Sequence, residues 1–513
     1  MSKQITKKIV LVLTVALMLT SLVGCGGGNE ADVTQKDELI VATAYDAKSL
    51  DPHAVNEVAA SNVMVQIYNS LLALDDNGEL VPSLAESYEQ VDDITYKFTI
   101  KKGVKFHNGE EMTVDDVVFS LQRAATSPAV ANLFGDIDVD SFEIIDDATF
   151  SFKLKNPNTG FLYNLMHPGA SVLCQKAVEE AGDNYAMNPV GTGPFKFVDW
   201  KKGDRIELER FEDYWGEKPA FKKMVIRAIP EATNRTIELE SGGVDVAYEI
   251  SANDIERIEE NEDLQLTRLV DNQTQYLGFN NKKEPFNDVR VRQAIRYALD
   301  IPSIVETAWK GVGSVAIGPM SPNINYYNSN IKQYEYNVEK AKELLAEAGY
   351  GNGFKTKLWT NEKQERIDMA TIIQSQLKEV GIEVEVEILE WGSYLEKLAN
   401  GEQEMFIIGW TGQSSDPDLA LYGPLSKETL GAGANFSFFE NDRVNELLLQ
   451  GRRMKDSPER EAIYYEIQEI HAEETPWIPL CHGEAVIGSQ KYVKNLKLTP
   501  FGFHPLYRIT FGE

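Results

Sequence analysis

The chain has three cysteines among 513 residues, and its six histidines, His53, His107, His167, His471, His482 and His504, follow no HxxxH or HExxH spacing. A metal site built from protein ligands is therefore not expected, nor is a CxxC redox centre. A GxSxG elbow, a Walker A loop and a GxGxxG fingerprint are also missing; Gly191-Thr192-Gly193-Pro194 ends in proline and reads as a turn. No cofactor is implied. Positive charge is scarce: the three lysines before Cys25 leave 47 basic against 80 acidic residues in the remainder, a net charge of −33. Nucleic acid and anionic lipid surfaces are accordingly poor partners. After Cys25 no apolar run approaches the length needed to span a bilayer.

What is present begins at the N-terminus. Lys3, Lys7 and Lys8 precede a mostly apolar run from Ile9 to Val23, and small residues lead directly into Cys25. The run is broken by Thr14, Thr20 and Ser21 and is too short to cross ~30 Å of hydrocarbon. The layout is that of a lipoprotein export signal over 1–24, cleaved before Cys25 so that its thiol takes diacylglycerol; a plain secretory signal with a chance cysteine is the alternative. At ~0.8 kcal/mol per buried methylene, two or three acyl chains would hold the protein on a membrane. Residues 25–36 then form the lipidated cysteine and a polar tether. Cys174 and Cys481 remain; they could pair in an oxidising compartment, but two buried free thiols is the simpler reading.

With 43% apolar residues the chain is not of disordered composition, and its length exceeds one usual core, so two or three domains are expected. Leu39–Thr43 reads as a strand ending at Tyr45-Asp46, followed by a helical pattern from Val55 to Leu72. Residues from Thr95 to Lys105 and from Ser141 to Lys155 alternate as hairpin strands, split at Asp146-Asp147, and Thr113 opens a capping box for a helix to about Ala125. Helices are also expected over Val289–Leu299 and Val338–Ala348. Arg290, Arg292 and Arg296 of the former are expected to be solvated or ion-paired rather than to form an anion site.

From Phe354 to Trp410 three strand patterns alternate with two helices: strand to Trp359, helix Arg366–Val380 stopped by Gly381, strand Ile382–Ile388, helix Tyr394–Ala399, strand Met405–Ile408. Tight strand–helix–strand connections predict parallel strands, whose carboxyl ends are where an open sheet binds ligands. Trp359, Trp391 and Trp410 fall at or near such ends, with Thr360, Asn361, Thr411, Gln413 and Ser414 beside them. The plainer reading is that each indole covers its own helix and strand. Asp416 and Asp418 form a carboxylate pair of the glycosidase type, but with 80 acidic residues chance pairs are common and catalysis is not expected.

Ser49-Leu50-Asp51-Pro52, Asn188 to Phe195, Tyr276 to Asn280, Phe286 to Ile295, Ala341 to Tyr350, Gly409-Trp410-Thr411 and Pro476 to Leu480 follow one another in a distinctive order. In them the chain resembles the extracytoplasmic solute-binding proteins of peptide-type ABC importers, solute-binding protein family 5. The resemblance covers nearly all of the chain after Cys25. It implies an α/β, two-lobed periplasmic-binding-protein-like fold with an extra subdomain inserted in lobe one. Mapped here, lobe one takes 37–65, 186–277 and 490–513, the inserted subdomain 66–185 and lobe two 278–489. It further implies a monomer whose partners are a small-molecule or short-peptide ligand, an ABC permease and, through it, ATPase subunits.

With the strand-end reading, ligand is expected among Tyr45, Asp46, Trp359, Asn361, Lys363, Trp391, Trp410, Thr411, Gln413, Asp416 and Asp418. In peptide-binding members an aspartate shortly after the Gly-Trp motif takes the peptide's ammonium group; here that position is Gln413, which cannot make the charge-assisted bond. Asp416 or Asp418 could substitute, and Lys363 and Arg366 are candidates for a carboxylate. The stretches Gly409–Leu425 and Met166–Pro194 are most similar to the glutathione-binding branch. Oligosaccharide stacking on the three indoles, hydrolysis by Asp416/Asp418 and presentation to a membrane sensor stay open.

Overall fold

The computed structural model describes residues 36–75, 79–412, 414–431 and 434–512; the export signal, Cys25 and Gln413 lie outside them. Its spine is a pair of long antiparallel strands, Leu264–Phe279 and Trp477–Gln490, at the centre of an 11-stranded mixed sheet. Beyond the first lie Met405–Thr411, Phe354–Asn361 and Ile382–Leu389; beyond the second lie Val246–Ala247, Glu38–Thr43, Lys223–Ala228, Arg205–Arg210 and Phe195–Lys201. The central register slips midway. Val270 faces Glu484 and Thr274 faces His482, so Asp271, Asn272 and Gln273 stand opposite Gly483 alone. Such an irregularity bends a strand pair and ends its regular pairing. The two ends of the pair are thus tied to different neighbours: Gly488 and Ser489 pair with Ala247 and Val246, whereas Gln273 to Phe279 pair with Met405 to Thr411.

The region 354–411 forms as its pattern predicts. Phe354–Asn361 runs parallel to both Ile382–Leu389 and Met405–Thr411, with helices Gln364–Lys378 and Trp391–Ala399 as connections. Gly381 stops the first helix at φ +85°, a conformation that favours glycine. Two boundaries shift in ways that matter for a site. Glu390 caps the second helix by accepting from the Gly392 and Ser393 amides, which brings Trp391 into the first turn, ahead of the expected start at Tyr394. The strand expected to end at Ile408 continues to Thr411, placing Trp410 and Thr411 within it.

The helix expected over Val55–Leu72 is shorter, Val58–Ile67. The Ile67 carbonyl accepts from the Gly193 amide, and a Cβ on Gly193 would lie 2.4 Å from the Ile67 carbonyl carbon. The glycine-rich turn therefore docks on the helix end, and Leu72–Leu74 pairs instead as a strand with Leu80–Pro82. Downstream, Ala85–Gln90, Thr95–Ile100, Thr149–Leu154 and Ile137–Ile144 make a separate four-stranded antiparallel sheet, on which the capping-box helix Val114–Thr126 packs. Thr113 and Asp116 exchange the reciprocal bonds of that box.

The buried side chains fall into three large clusters. One joins the four-stranded sheet to the strands around Glu38–Thr43; the others lie on the two faces of the region around 354–411, with Leu358 and Ile407 in one and Trp359, Phe406 and Trp477 in the other. Cys174 and Cys481 are buried free thiols.

Candidate functional site

The carboxyl end of Phe354–Asn361 meets the loop that follows Glu38–Thr43. Asn361, the last residue of its strand and 1% exposed, donates to the Tyr45 hydroxyl at 3.1 Å. The Tyr45 ring stacks on Trp391, centroids 6.1 Å apart at 25°. Burial, with the Glu249 charge adding to it, pushes the Tyr45 hydroxyl up to about 12, so it stays a neutral donor.

Arg366 organises the floor. It sits in the first turn of Gln364–Lys378, donates from Nη1 to Asn361 at 2.9 Å and from Nε to Gln275 at 3.0 Å, and lies 5.9 Å from the Trp391 ring. Gln275 in turn donates to Gln273, and Gln273 to the Thr411 hydroxyl at 3.1 Å. The guanidinium is 5% exposed, and among the described residues none offers it a carboxylate within ion-pair distance. Its Nη2 is turned toward Gly409, where an added Cβ would lie 3.0 Å away. Its charge is thus met by amide oxygens alone among the described residues.

The backbone amide of Gln273 holds a carboxylate. Asp271, in the irregular stretch of the central pair, accepts from the Gln273 amide at 2.8 Å and is pushed up to about 6 by burial, with Lys363 acting in the other direction. The Lys363 ammonium lies 5.3 Å from the Trp309 ring. Neither group forms an ion pair among the described residues.

The structure thus brings Tyr45, Asn361 and Trp391 together beside Arg366, and ties Thr411 to it through Gln273 and Gln275. Other expected residues have different surroundings. The Asp46 carboxylate accepts from the Trp200 indole at 3.0 Å and the Gly203 amide at 2.7 Å. Trp359 is 8% exposed, within the cluster that holds Tyr394 and Phe406. Trp410 is half-buried and donates to the Leu419 carbonyl at 3.3 Å, and a Cβ on Gly423 would meet its ring at 2.6 Å. Asp416 caps the helix Pro417–Leu425 and accepts twice from Arg460, at 2.8 and 2.9 Å. Asp418 is buried and lies 3.2 Å from Arg452 Nε, while Arg452 Nη2 reaches Asp136 at 3.2 Å. Burial pushes the Asp418 carboxyl up to about 7.

Several participants had no separate signal in the sequence. Gln273, Gln275 and Asp271 are brought in by the central strand, 316 positions separate Asn361 from Tyr45, and Arg452 and Arg460 come from helices well downstream of the carboxylates they bind.

A family model for "Bacterial extracellular solute-binding proteins, family 5 Middle" matches residues 79–431. The chain is 32% identical to heme-binding protein A of Haemophilus influenzae, over 94% of this chain and 93% of that protein. It is 31% identical to the glutathione-binding protein GsiB of Escherichia coli, over 90% and 92%. Among solved structures it is similar to the ABC transporter-associated periplasmic binding protein DppA of Helicobacter pylori in complex with the peptide STSA, with a TM-score of 0.88, 33% identity and coverage of 93% of this chain and 98% of that one. The two-lobed α/β architecture is shared with that neighbour.

Proposed function

The chain belongs to family 5 of the bacterial extracellular solute-binding proteins, and from that premise we propose that it is a lipid-anchored receptor of an ABC importer. It captures a short peptide or glutathione-like solute between its lobes and hands it to a permease with its ATPases. Lobe one is taken as 37–65, 186–277 and 490–513, the inserted subdomain as 66–185 and lobe two as 278–489. Closure then turns about the irregular stretch Asp271–Gln273, and it is driven only by the ligand's preference for the closed state. Anchoring at Cys25 keeps the receptor at high effective concentration near its permease.

The observation that carries the ligand class is Arg366. A guanidinium this buried, lacking a carboxylate among the described residues, is suited to receive one from a ligand, and charge-assisted bonds of that kind contribute ~1.5–3 kcal/mol. Asp271 offers the complementary charge for an ammonium group, a role Gln413 cannot fill. A zwitterionic ligand would set its carboxylate on Arg366 and its ammonium group on Asp271. Hydrolysis is disfavoured because Asp416 and Asp418 are already engaged by Arg460 and Arg452.

The test is thermal unfolding with millimolar reduced glutathione, a tripeptide and a neutral trisaccharide in parallel. At ~100 times its dissociation constant a ligand adds about 2.7 kcal/mol of stability. A raised midpoint with glutathione or tripeptide supports the reading; a rise with the sugar alone replaces the ligand class.

A further inference from the structure

The arginines of helix Val289–Ala298 are expected from sequence to be solvated or ion-paired, and Arg290 is indeed exposed and paired with Asp288. Arg296 departs from that rule. It is 7% exposed, forms no ion pair among the described residues, and makes one hydrogen bond there, from Nη1 to the Pro479 carbonyl at 3.0 Å. Its guanidinium also lies 5.8 Å from the Tyr334 ring.

Arg296 lines a small cavity together with Lys332, Tyr334, His471, Trp477 and Pro479. The cavity measures about 10 Å³, room for one body of about water size. No carboxylate lines it. His471 Nε2 and Trp477 Nε1 are both buried without a hydrogen-bond partner, and their rings stand edge to face with centroids 4.2 Å apart. The indole is a donor only. Burial and the neighbouring Arg296 charge hold His471 down at about 3, so its imidazole is neutral and able to donate from Nε2.

One buried guanidinium, the ammonium of the exposed Lys332, an orphan indole N–H and a neutral imidazole beside a water-sized space, with no acid lining it, are the chemistry of a monatomic anion. A buried guanidinium that is not neutralised costs more than one carbonyl can offset. We propose that this cavity binds a small monovalent inorganic anion, chloride under ordinary conditions, held by Arg296 and Trp477 with His471 alongside. The site is separate from the cleft: Trp477 pairs with Gly278, at the far end of the central strands from Asp271–Gln273. It acts on the packing of Trp477 against Tyr276, whose centroids are 4.4 Å apart, and so on the stability of that half of the sheet.

The test uses halide alone. Wild-type crystals are soaked in bromide and the anomalous map is inspected, and thermal unfolding is followed in sodium chloride against sodium gluconate at equal ionic strength. The inference expects a bromide peak within bonding distance of Arg296 and Trp477, and a midpoint higher in chloride by about 1–2 °C at ten times the dissociation constant. That difference should vanish in Arg296→Gln. Water in place of bromide in the wild-type crystal overturns the inference. So does a peak without halide-specific stabilisation, which marks binding at crystal concentration only. If Arg296→Gln does not fold, Trp477→Phe takes its place in the unfolding comparison, and the wild-type bromide map still decides.

Discussion

Two of the contacts that join distant parts of the molecule are built from opposite materials. On the cleft side Tyr45 meets Asn361 and Trp391 through one neutral hydrogen bond and one ring stack. On the side of the four-stranded sheet Arg452 takes Asp136, next to a strand of that sheet, and Asp418 from the helix Pro417–Leu425, stacks 3.9 Å from the Tyr422 ring, and offers its backbone carbonyl to the Thr159 amide at 2.8 Å. A neutral contact is cheap to break and remake, whereas a buried ionic one is costly when half-made. If closure follows the proposal above, the neutral contact is the one suited to open and re-form with ligand, and the ionic one to hold the frame.

The largest effect is expected from Arg452→Met. It strands Asp418, 2% exposed, without its cation, and an uncompensated buried charge costs about 3–5 kcal/mol. Urea unfolding should show that loss, and pairing the change with Asp418→Leu should recover most of it, because an apolar pair of similar volume is often neutral. If the single variant unfolds like wild type, the ionic contact is not structural.

A smaller effect is expected at Asp271. Burial lifts its carboxyl to about 6, so the folded protein binds this proton more tightly than the unfolded chain does. This contribution is fully present below the ordinary carboxylate range and is lost as pH rises through about 6. Asp271→Asn should flatten that part of the stability profile between about pH 4 and 6, read by thermal unfolding across the range. An unchanged slope would place the proton elsewhere.

The smallest expected change is Tyr45→Phe. It removes the hydroxyl bonded to Asn361 and keeps the ring on Trp391, so the closed form should lose about 0.5–1.5 kcal/mol. Small-angle scattering, or the distance between labels on the two lobes, measures the shift toward open forms. Global unfolding should barely move, in contrast to Arg452→Met.

The α/β part was legible because alternation and stop signals agree there. Val384 and Ile382 point to one face of their strand, Gly381 ends the helix before it, and Thr113 with Asp116 marks a helix start by side-chain chemistry alone. The long-range pairings were not legible. Nothing local in Asp416 or Asp418 reveals that Arg460 and Arg452 will occupy them, and nothing local in Asn361 points to Tyr45. Three indoles near strand ends suggested one rim, but strand length decides exposure: Trp359 lies within its strand and turns into the core, while Trp391, in the first turn of its helix, reaches Tyr45. Arg296 escaped for the same reason, since a helical position names a face but not what that face meets.

On the proposed function, Arg366 receives a carboxylate carried by the ligand. Isothermal titration with a tripeptide and with its C-terminal amide, on the wild-type protein and on Arg366→Gln, tests it most directly. The account predicts binding of the free acid to the wild type, and at least a tenfold weakening, about 1.4 kcal/mol, both for the amide and for the variant. Equal affinity for acid and amide in the wild type would contradict it.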